Sequence, residues 1–392
     1  MPKPRTIAFI SPRFADGPTV GGAETLLKTQ ARYAIENGID VTFLTTCAQN
    51  HHTWKNEVSP GTRVVDGVPV EFFPVDENRD VETFHAIQQR ISRGLDVTRD
   101  EEEAWIRNSV NSTALCEHVK NAGEHYDRLV VGPYLFGLCY EVSRIFPDKT
   151  VFVPCLHDEP FAYVKTLRSI FDSRIIMFNS FSERDLAKRL FGEAMAKMPV
   201  VGMGLRPFET DASAIVRELG IDSPYLLYSG RRESLKGTPL LCAYINTFRE
   251  RTQRDVKLVL TGTGHVDAPP ALVPHMHDLG FVAEQKKHDA MSGALAFCHP
   301  SVNESFGIVA LEAWLAGTPC LVHACSDVLR RHCRESNGGL WFRYYGEFEE
   351  QLMMLLDHRD IATALAESGR RYVLENYTHE AVSANMMEAL KT

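Results

Sequence analysis

Glu304-Ser305-Phe306-Gly307-Ile308-Val309-Ala310-Leu311-Glu312 is the stretch around which the rest of this 392-residue chain falls into place. The apolar run Ala294–His299 ahead of it reads as a strand, and Pro300 closes that strand. Ile308–Ala316 reads as a helix, and Ala316-Gly317-Thr318-Pro319 ends it. A short apolar strand, a polar loop and a helix make one βα unit. In open α/β sheets ligands collect outside the carboxyl ends of the strands, which is where this loop lies.

The same alternation runs outward in both directions. In the first half Thr6–Ile10, Val41–Thr46, Arg128–Val131, Thr150–Pro154 and Arg174–Asn179 read as strands, with Ala23–Asn37, Glu101–Asn121 and Ser180–Phe191 as helices between them. In the second half Pro224–Ser229, Lys257–Thr261, Ala294–His299 and Cys320–Val322 read as strands. There the helices are Lys236–Thr252, Glu284–Ser292, Ile308–Ala316 and Glu347–Leu356. This pattern predicts an α/β chain of two open, mostly parallel sheets covered on both faces. The turn-rich stretch Gly202–Ser223 is the expected join. The acidic run Asp100–Glu103 reads as a solvated helix N-terminus favoured by the helix dipole.

Composition narrows the function classes. Apolar residues make up 44% and charged residues 24%, an ordinary balance for a soluble globular enzyme. Lys and Arg total 42 against 51 Asp and Glu, so the net charge of -9 argues against broad nucleic-acid binding and leaves room for a small phosphate pocket. No apolar run approaches the ~18 residues of a membrane span, and the N-terminus has no secretory pattern. Nine cysteines are scattered with no CxxC pair, which suggests neither a disulfide framework nor a zinc site; a reduced cytoplasm is expected. The chain has no Asp-x-Asp, GxSxG, HExxH or EF-hand pattern. No GxGxxG follows a strand, which disfavours a nicotinamide enzyme.

Four places could carry chemistry. If Glu304–Glu312 were helical throughout, eight steps of ~1.5 Å would set the two carboxylates about 12 Å apart, comparable to the span from hexose to ribose in a nucleoside diphosphate sugar. The amides of Gly307, Ile308 and Val309 would face phosphates at a helix N-terminus, and each carboxylate could accept from a pair of hydroxyls. Taken only as two acids at this spacing, the pair is equally an amphipathic helix face. Gly230-Arg231-Arg232, followed by Lys236-Gly237, comes straight after a strand and could clamp a diphosphate; it is not a P-loop, and it could also be a pair of surface cations. Gly21-Gly22-Ala23-Glu24 lies between the first strand and helix, as a backbone approach for an anion or as a plain turn. His157-Asp158-Glu159 follows a strand and places a His where it could bond a reacting sugar or move a proton. His299, inside an apolar strand, reads as core or as support for the site.

Together these segments resemble the retaining glycosyltransferases of family 4, also described as glycosyl transferases group 1. The resemblance covers most of the chain and is densest from Tyr225 to Leu340. It rests on Pro300-Ser301, Glu304-Ser305-Phe306-Gly307, Leu311-Glu312-Ala313 and Ala316-Gly317-Thr318-Pro319, with Leu279-Gly280-Phe281-Val282 and Gly21-Gly22-Ala23-Glu24. Two departures stand out. The family's Gly-Asp-Gly turn is Thr261-Gly262-Thr263-Gly264 here, and its Asn-Gly-Val-Asp is Gly202-Met203-Gly204-Leu205.

The resemblance implies a GT-B fold, two Rossmann-like domains facing each other across a cleft. Residues 1–205 would be the acceptor-binding domain, 206–375 the donor-binding domain, and 376–392 a helix crossing back. It implies that Glu304 and His157 contact the transferred sugar, that Arg231 and Lys236 neutralise the diphosphate, and that Glu312 holds the ribose. Gly22, Gly230, Gly262, Val282, Ser305, Phe306, Gly307, Ile308 and Val309 complete the implied donor site. The implied reaction moves a hexose from a UDP- or GDP-linked donor, with retention, to a glycan or lipid-linked acceptor, as in bacterial surface polysaccharide assembly. The implied site uses neither metal nor cofactor beyond the nucleotide-sugar co-substrate, and no nucleic acid. A GT-B sugar phosphorylase, a nucleotide-sugar epimerase and a non-catalytic nucleotide-sugar-binding protein are the rival readings. Ser180–Phe191, with Arg184, Lys188 and Arg189 beside Leu186, Leu190 and Phe191, is either a peripheral membrane contact or an ordinary surface helix. The oligomeric state is open.

Overall fold

A computed structural model describes residues 3–14, 21–232 and 236–391. The chain divides into two units, Met1–Met203 with Val382–Thr392, and Gly204–Ala381.

In the first unit the β-branched and aromatic runs become β1 (Thr6–Ile10), β2 (Asp40–Thr46), β3 (Gly61–Val65), β4 (Val68–Phe73), β5 (Arg128–Val131), β6 (Thr150–Phe152) and β7 (Ile175–Ile176). The sheet order is β3-β4-β2-β1-β5-β6-β7, with β3 and β4 antiparallel and the other neighbouring pairs parallel. Central strands are apolar on both faces because helices cover both: Ile7, Ala8, Phe9 and Ile10 of β1 are fully buried. Each such side chain contributes roughly 1.5–3 kcal/mol when of Ile or Phe size. The sequence order turns back between β1 and its neighbour β5, so the loops after these two strands flank the crevice where such sheets take ligands.

The second unit holds β8 (Tyr225–Ser229), β9 (Lys257–Thr261), β10 (Met276–Asp278), β11 (Ala296–His299), β12 (Cys320–His323) and β13 (Gly339–Phe342), all parallel in the order β10-β9-β8-β11-β12-β13. Its reversal falls between β8 and β11. Trp314 fills the centre of the helical layer over this sheet, and its indole N–H donates to the Gly338 carbonyl at 2.7 Å.

Several expectations need correction. The long helix over Glu101–Asn121 is two helices, Arg99–Arg107 and Thr113–Ala122. Asn108, Ser109, Asn111 and Ser112 compete with the helical backbone there, and Ser112 caps the second helix by accepting the Leu115 N–H. The acidic run is not wholly solvated: Glu102 is buried and accepts from the backbone and hydroxyl of Thr166 at 2.9 and 2.7 Å. The strand expected over Arg174–Asn179 shrinks to β7, and that over Thr150–Pro154 to β6. The β3–β4 hairpin went unread although Asp66-Gly67 between them is a strong turn signal; both residues take positive φ, 50° and 77°.

Candidate functional site

The second unit gathers its polar residues at the carboxyl ends of β8 and β11, on the two sides of the reversal. After β8, the N–H of Gly230 donates to Thr261 at 3.0 Å, and Tyr228 donates its hydroxyl hydrogen to the Arg231 carbonyl at 2.6 Å; the Arg231 residue is exposed. Gly262 permits this arrangement. It has φ +114°, and a Cβ there would sit 2.1 Å from the Gly230 carbonyl oxygen. Backbone of the β8 and β9 loops therefore touches where a side chain would stand.

Lys236 and the loop after β11 meet directly. The ammonium lies 2.6 Å from Glu304 Oε1 and 3.4 Å from the Asn303 carbonyl. His299, the last residue of β11, approaches the same carboxylate oxygen at 3.3 Å through Nε2. Burial would raise the Glu304 carboxyl, but the His299 bond and the Lys236 charge outweigh it and hold the group well below the usual carboxylate range. His299 thus braces Glu304 from inside the sheet, while Lys236 neutralises it from the neighbouring loop.

Glu304 itself is not helical. The helix runs Ile308–Leu315, and Gly307 precedes it in a left-handed conformation, φ 79°. A Cβ on Gly307 would fall 2.4 Å from a methyl of Leu329. The uniform eight-step helix between the two glutamates is therefore corrected to a loop followed by a helix. The first amides of that helix, at Ile308 and Val309, have no preceding turn to bond within the helix. Ser305 and Val282 are half-buried. The Phe306 ring is 3% exposed and packs edge-on against His332 and Tyr377, so its side chain anchors the loop and leaves only its backbone for a ligand.

Glu312 lies one turn into the helix, buried, with Oε1 accepting from Lys287 Nζ at 2.9 Å. Oε2 is also 2.9 Å from that ammonium but has no hydrogen-bond partner among the described residues. Burial raises this carboxyl, against the pull of Lys287. Lys287 was missed in the sequence because it lies on another helix, Glu284–Ser292, and only the fold brings it to Glu312.

In the first unit Gly22 opens the helix Gly22–Glu36 after Gly21, and a Cβ at Gly22 would meet nothing within 4 Å. Two residues on, Glu24 pairs with the buried Arg13 at 2.7 Å. His157 is half-buried beyond β6, its Nδ1 3.7 Å from Glu159, which in turn accepts from Tyr134 at 2.7 Å. Beneath this loop lies a residue the sequence reading passed over. Glu183 is 1% exposed and accepts the N–H groups of Leu156 and Asn179, each at 2.6 Å. Burial pushes its carboxyl up to about 7, against these bonds. The signal was the capping pattern Ser180-Phe181-Ser182-Glu183; Ser180 does accept the Glu183 N–H at 3.1 Å. Lys236, Glu304 and His299 thus form one cluster and Glu312 and Lys287 another in the second unit, while Gly22 and His157 belong to the first.

Residues 212–372 match the family model described as Glycosyl transferases group 1. The D-inositol 3-phosphate glycosyltransferase of Xylanimonas cellulosilytica is 32% identical over 174 residues, 39% of this chain and 41% of that protein. The chain spans less than half the length of the curated relatives it matches. Sucrose-phosphate synthase from Thermosynechococcus elongatus superposes with a TM-score of 0.72 at 16% identity, over 99% of this chain and 98% of that one. Alr3699/HepE of Anabaena, solved in complex with UDP-glucose, superposes with a TM-score of 0.70 at 15% identity, over 98% and 99%. The fold is accordingly GT-B, with two α/β domains built on mostly parallel sheets. No described helix is long and apolar enough to cross a membrane.

Proposed function

We propose that this chain is a glycosyltransferase that moves a hexose from a nucleoside diphosphate sugar to a hydroxyl of a glycan or lipid-linked acceptor, with retention at the anomeric carbon. The observation that carries the reading is the convergence, at the β8/β11 reversal, of an exposed Arg231, the Lys236–Glu304–His299 cluster and the amino end of the Ile308–Leu315 helix. Two cations and the first amides of a helix suit a diphosphate, and carboxylates on either side of them suit the hydroxyls at its two ends. Glu312, ion-paired with Lys287, takes the ribose, and Glu304 takes the hexose hydroxyls. UDP-glucose is the first donor to try, since Alr3699/HepE was solved with it.

Catalysis in this scheme is electrostatic. Arg231, Lys236 and the amides of Gly307, Ile308 and Val309 stabilise the negative charge that gathers on the leaving diphosphate as C1 becomes oxocarbenium-like. These positive groups supply what a metal would otherwise contribute. The bond from C1 to the phosphate oxygen breaks as the acceptor oxygen bonds C1 on the same face, and the acceptor's proton passes to the departing phosphate oxygen. His157 is assigned a bond to the hexose, and the loop that carries it is tied down by Glu183, which accepts the Leu156 N–H. We place the enzyme in the cytoplasm, where its free cysteines stay reduced.

A thermal-shift panel of UDP-, GDP- and ADP-sugars tests the donor assignment. One donor is expected to raise the melting temperature in proportion to the logarithm of its concentration, and none doing so contradicts it. Proton NMR of the product is expected to show the donor's anomeric configuration. A covalent glycosyl adduct trapped on Glu304 or Asp158 would overturn the same-face step.

A further inference from the structure

The second unit carries a cavity that the proposed donor site does not use. Its volume is about 450 Å³, within the range of small-molecule pockets, and it lies at the free edge of the sheet, where β13 pairs with β12 alone. β13 stands two strands outboard of β11, and none of the residues assigned to the donor lines the cavity. The walls come from separate elements. Arg330 belongs to the helix Asp327–Ser336, Trp341 to β13, Arg343 to the loop that follows, and Glu347 and Gln351 to the helix Tyr345–Asp357.

The charges in these walls are unevenly committed. Glu347 Oε2 accepts the backbone N–H groups of Arg343 and Tyr344, at 2.5 and 3.4 Å, so this carboxylate caps the start of its own helix. The Arg343 guanidinium donates to Cys325 Sγ at 3.7 Å and forms no ion pair among the described residues. Arg330 pairs with Asp327 at 2.6 Å, three residues back on the same helix, and such an exposed contact holds it weakly. Trp341 is 38% exposed. Its carbonyl accepts from Gln351 Nε2 at 2.8 Å, which fixes the strand end that carries the indole. Charged side chains along an edge strand discourage pairing with other chains, and that accounts for arginines at this edge. An indole in the wall of the same cavity adds an apolar platform, which edge protection does not require.

We propose that this cavity is a second binding site, for a phosphorylated sugar, with the apolar face of the ring on Trp341 and the phosphate on Arg330 and Arg343. A phosphate monoester carries close to two negative charges at neutral pH, which two guanidiniums match, and their planar forks suit its oxygens. The site goes beyond the donor reading and does not depend on it. Its ligand is held at the same time as a nucleotide, as an effector would be.

The test titrates glucose 6-phosphate, glucose and inorganic phosphate calorimetrically into the wild type, with and without UDP. Glucose 6-phosphate is expected to bind at one site per chain, with or without UDP. Glucose and inorganic phosphate, which use one wall each, are expected to bind about tenfold or more weakly than it. Arg343→Gln and Arg330→Gln each remove a charge-assisted contact and are expected to lower glucose 6-phosphate affinity about tenfold or more. Trp341→Ala is expected to weaken glucose 6-phosphate and to leave inorganic phosphate unchanged, which separates the two walls. Arg343→Lys keeps the charge, loses the fork and should recover only part of the affinity. All four variants alter exposed side chains and should melt like the wild type. A wild type that does not bind glucose 6-phosphate overturns the proposal, as does displacement by UDP. Affinity that survives both Arg343→Gln and Trp341→Ala, or inorganic phosphate that binds as tightly as the sugar phosphate, overturns it too.

Discussion

The Lys236–Glu304 contact offers the sharpest single perturbation. At 2.6 Å and an effective dielectric of about 20, two unit charges attract by roughly 6 kcal/mol. Desolvation and the partial exposure of both side chains, 24% and 14%, take back about half. Lys236→Met is therefore expected to cost about 3 kcal/mol, a fall of roughly 6–12 °C in the melting temperature of the unit that holds it. Glu304→Gln alone should cost less, because His299 and Lys236 keep a polar partner. The double variant Lys236→Met/Glu304→Gln should be more stable than the sum of the singles by about 2 kcal/mol, since no charge is then left buried and unpaired. The pH dependence has a definite sign. The Glu304 carboxyl is held below its ordinary value, so its contribution is present above the ordinary carboxylate range and is lost as pH falls beneath it. Scanning calorimetry of the four proteins at neutral and acid pH reads all of this. Strict additivity, or a Lys236→Met deficit that does not shrink toward acid, would refute the reasoning.

Three further outcomes follow from the same contacts. Glu183, raised to about 7, favours the folded state most when protonated, so its contribution is whole below its ordinary value of 4.5 and is lost as pH rises through about 7, a swing of about 3 kcal/mol. Glu183→Gln should flatten the melting-temperature profile over that window, and parallel profiles for variant and wild type would contradict this. Gly262→Ala places a Cβ against the Gly230 carbonyl in a left-handed backbone and should cost about 3 kcal/mol, read as a lowered melting temperature. Gly22→Ala meets open space at a helix start, so it should melt like the wild type, and a clearly lowered melting temperature would contradict this.

Most of the βα alternation was legible because parallel strands buried on both faces are continuous apolar runs, as Tyr225–Ser229 and Lys257–Thr261 show. Edge elements were not. β10 holds a Met, a His and an Asp, two of them half-buried, and no periodicity marks it. The helix break at Asn108–Ser112 was written in its residues and lost under the apolar pattern on either side. Within the site, motifs gave up the residues near one another in sequence, such as Gly307 and Glu312. Partners from other elements needed the fold: Lys287 for Glu312, Asp278 for Arg232, Leu156 for Glu183. The acidic net charge does not speak against the proposed anionic ligand, because a few cations gathered at one strand reversal would suffice to hold it.

The most direct test of the central claim is release of nucleoside diphosphate from a panel of UDP-, GDP- and ADP-sugars, followed side by side for the wild type and Glu304→Ala. The account predicts that the wild type consumes at least one donor, and faster when a polyhydroxyl acceptor is added, while Glu304→Ala stays folded and loses a hundredfold or more of that rate, on the order of ~3 kcal/mol of transition-state stabilisation. Donor turnover that is the same in both proteins would contradict it.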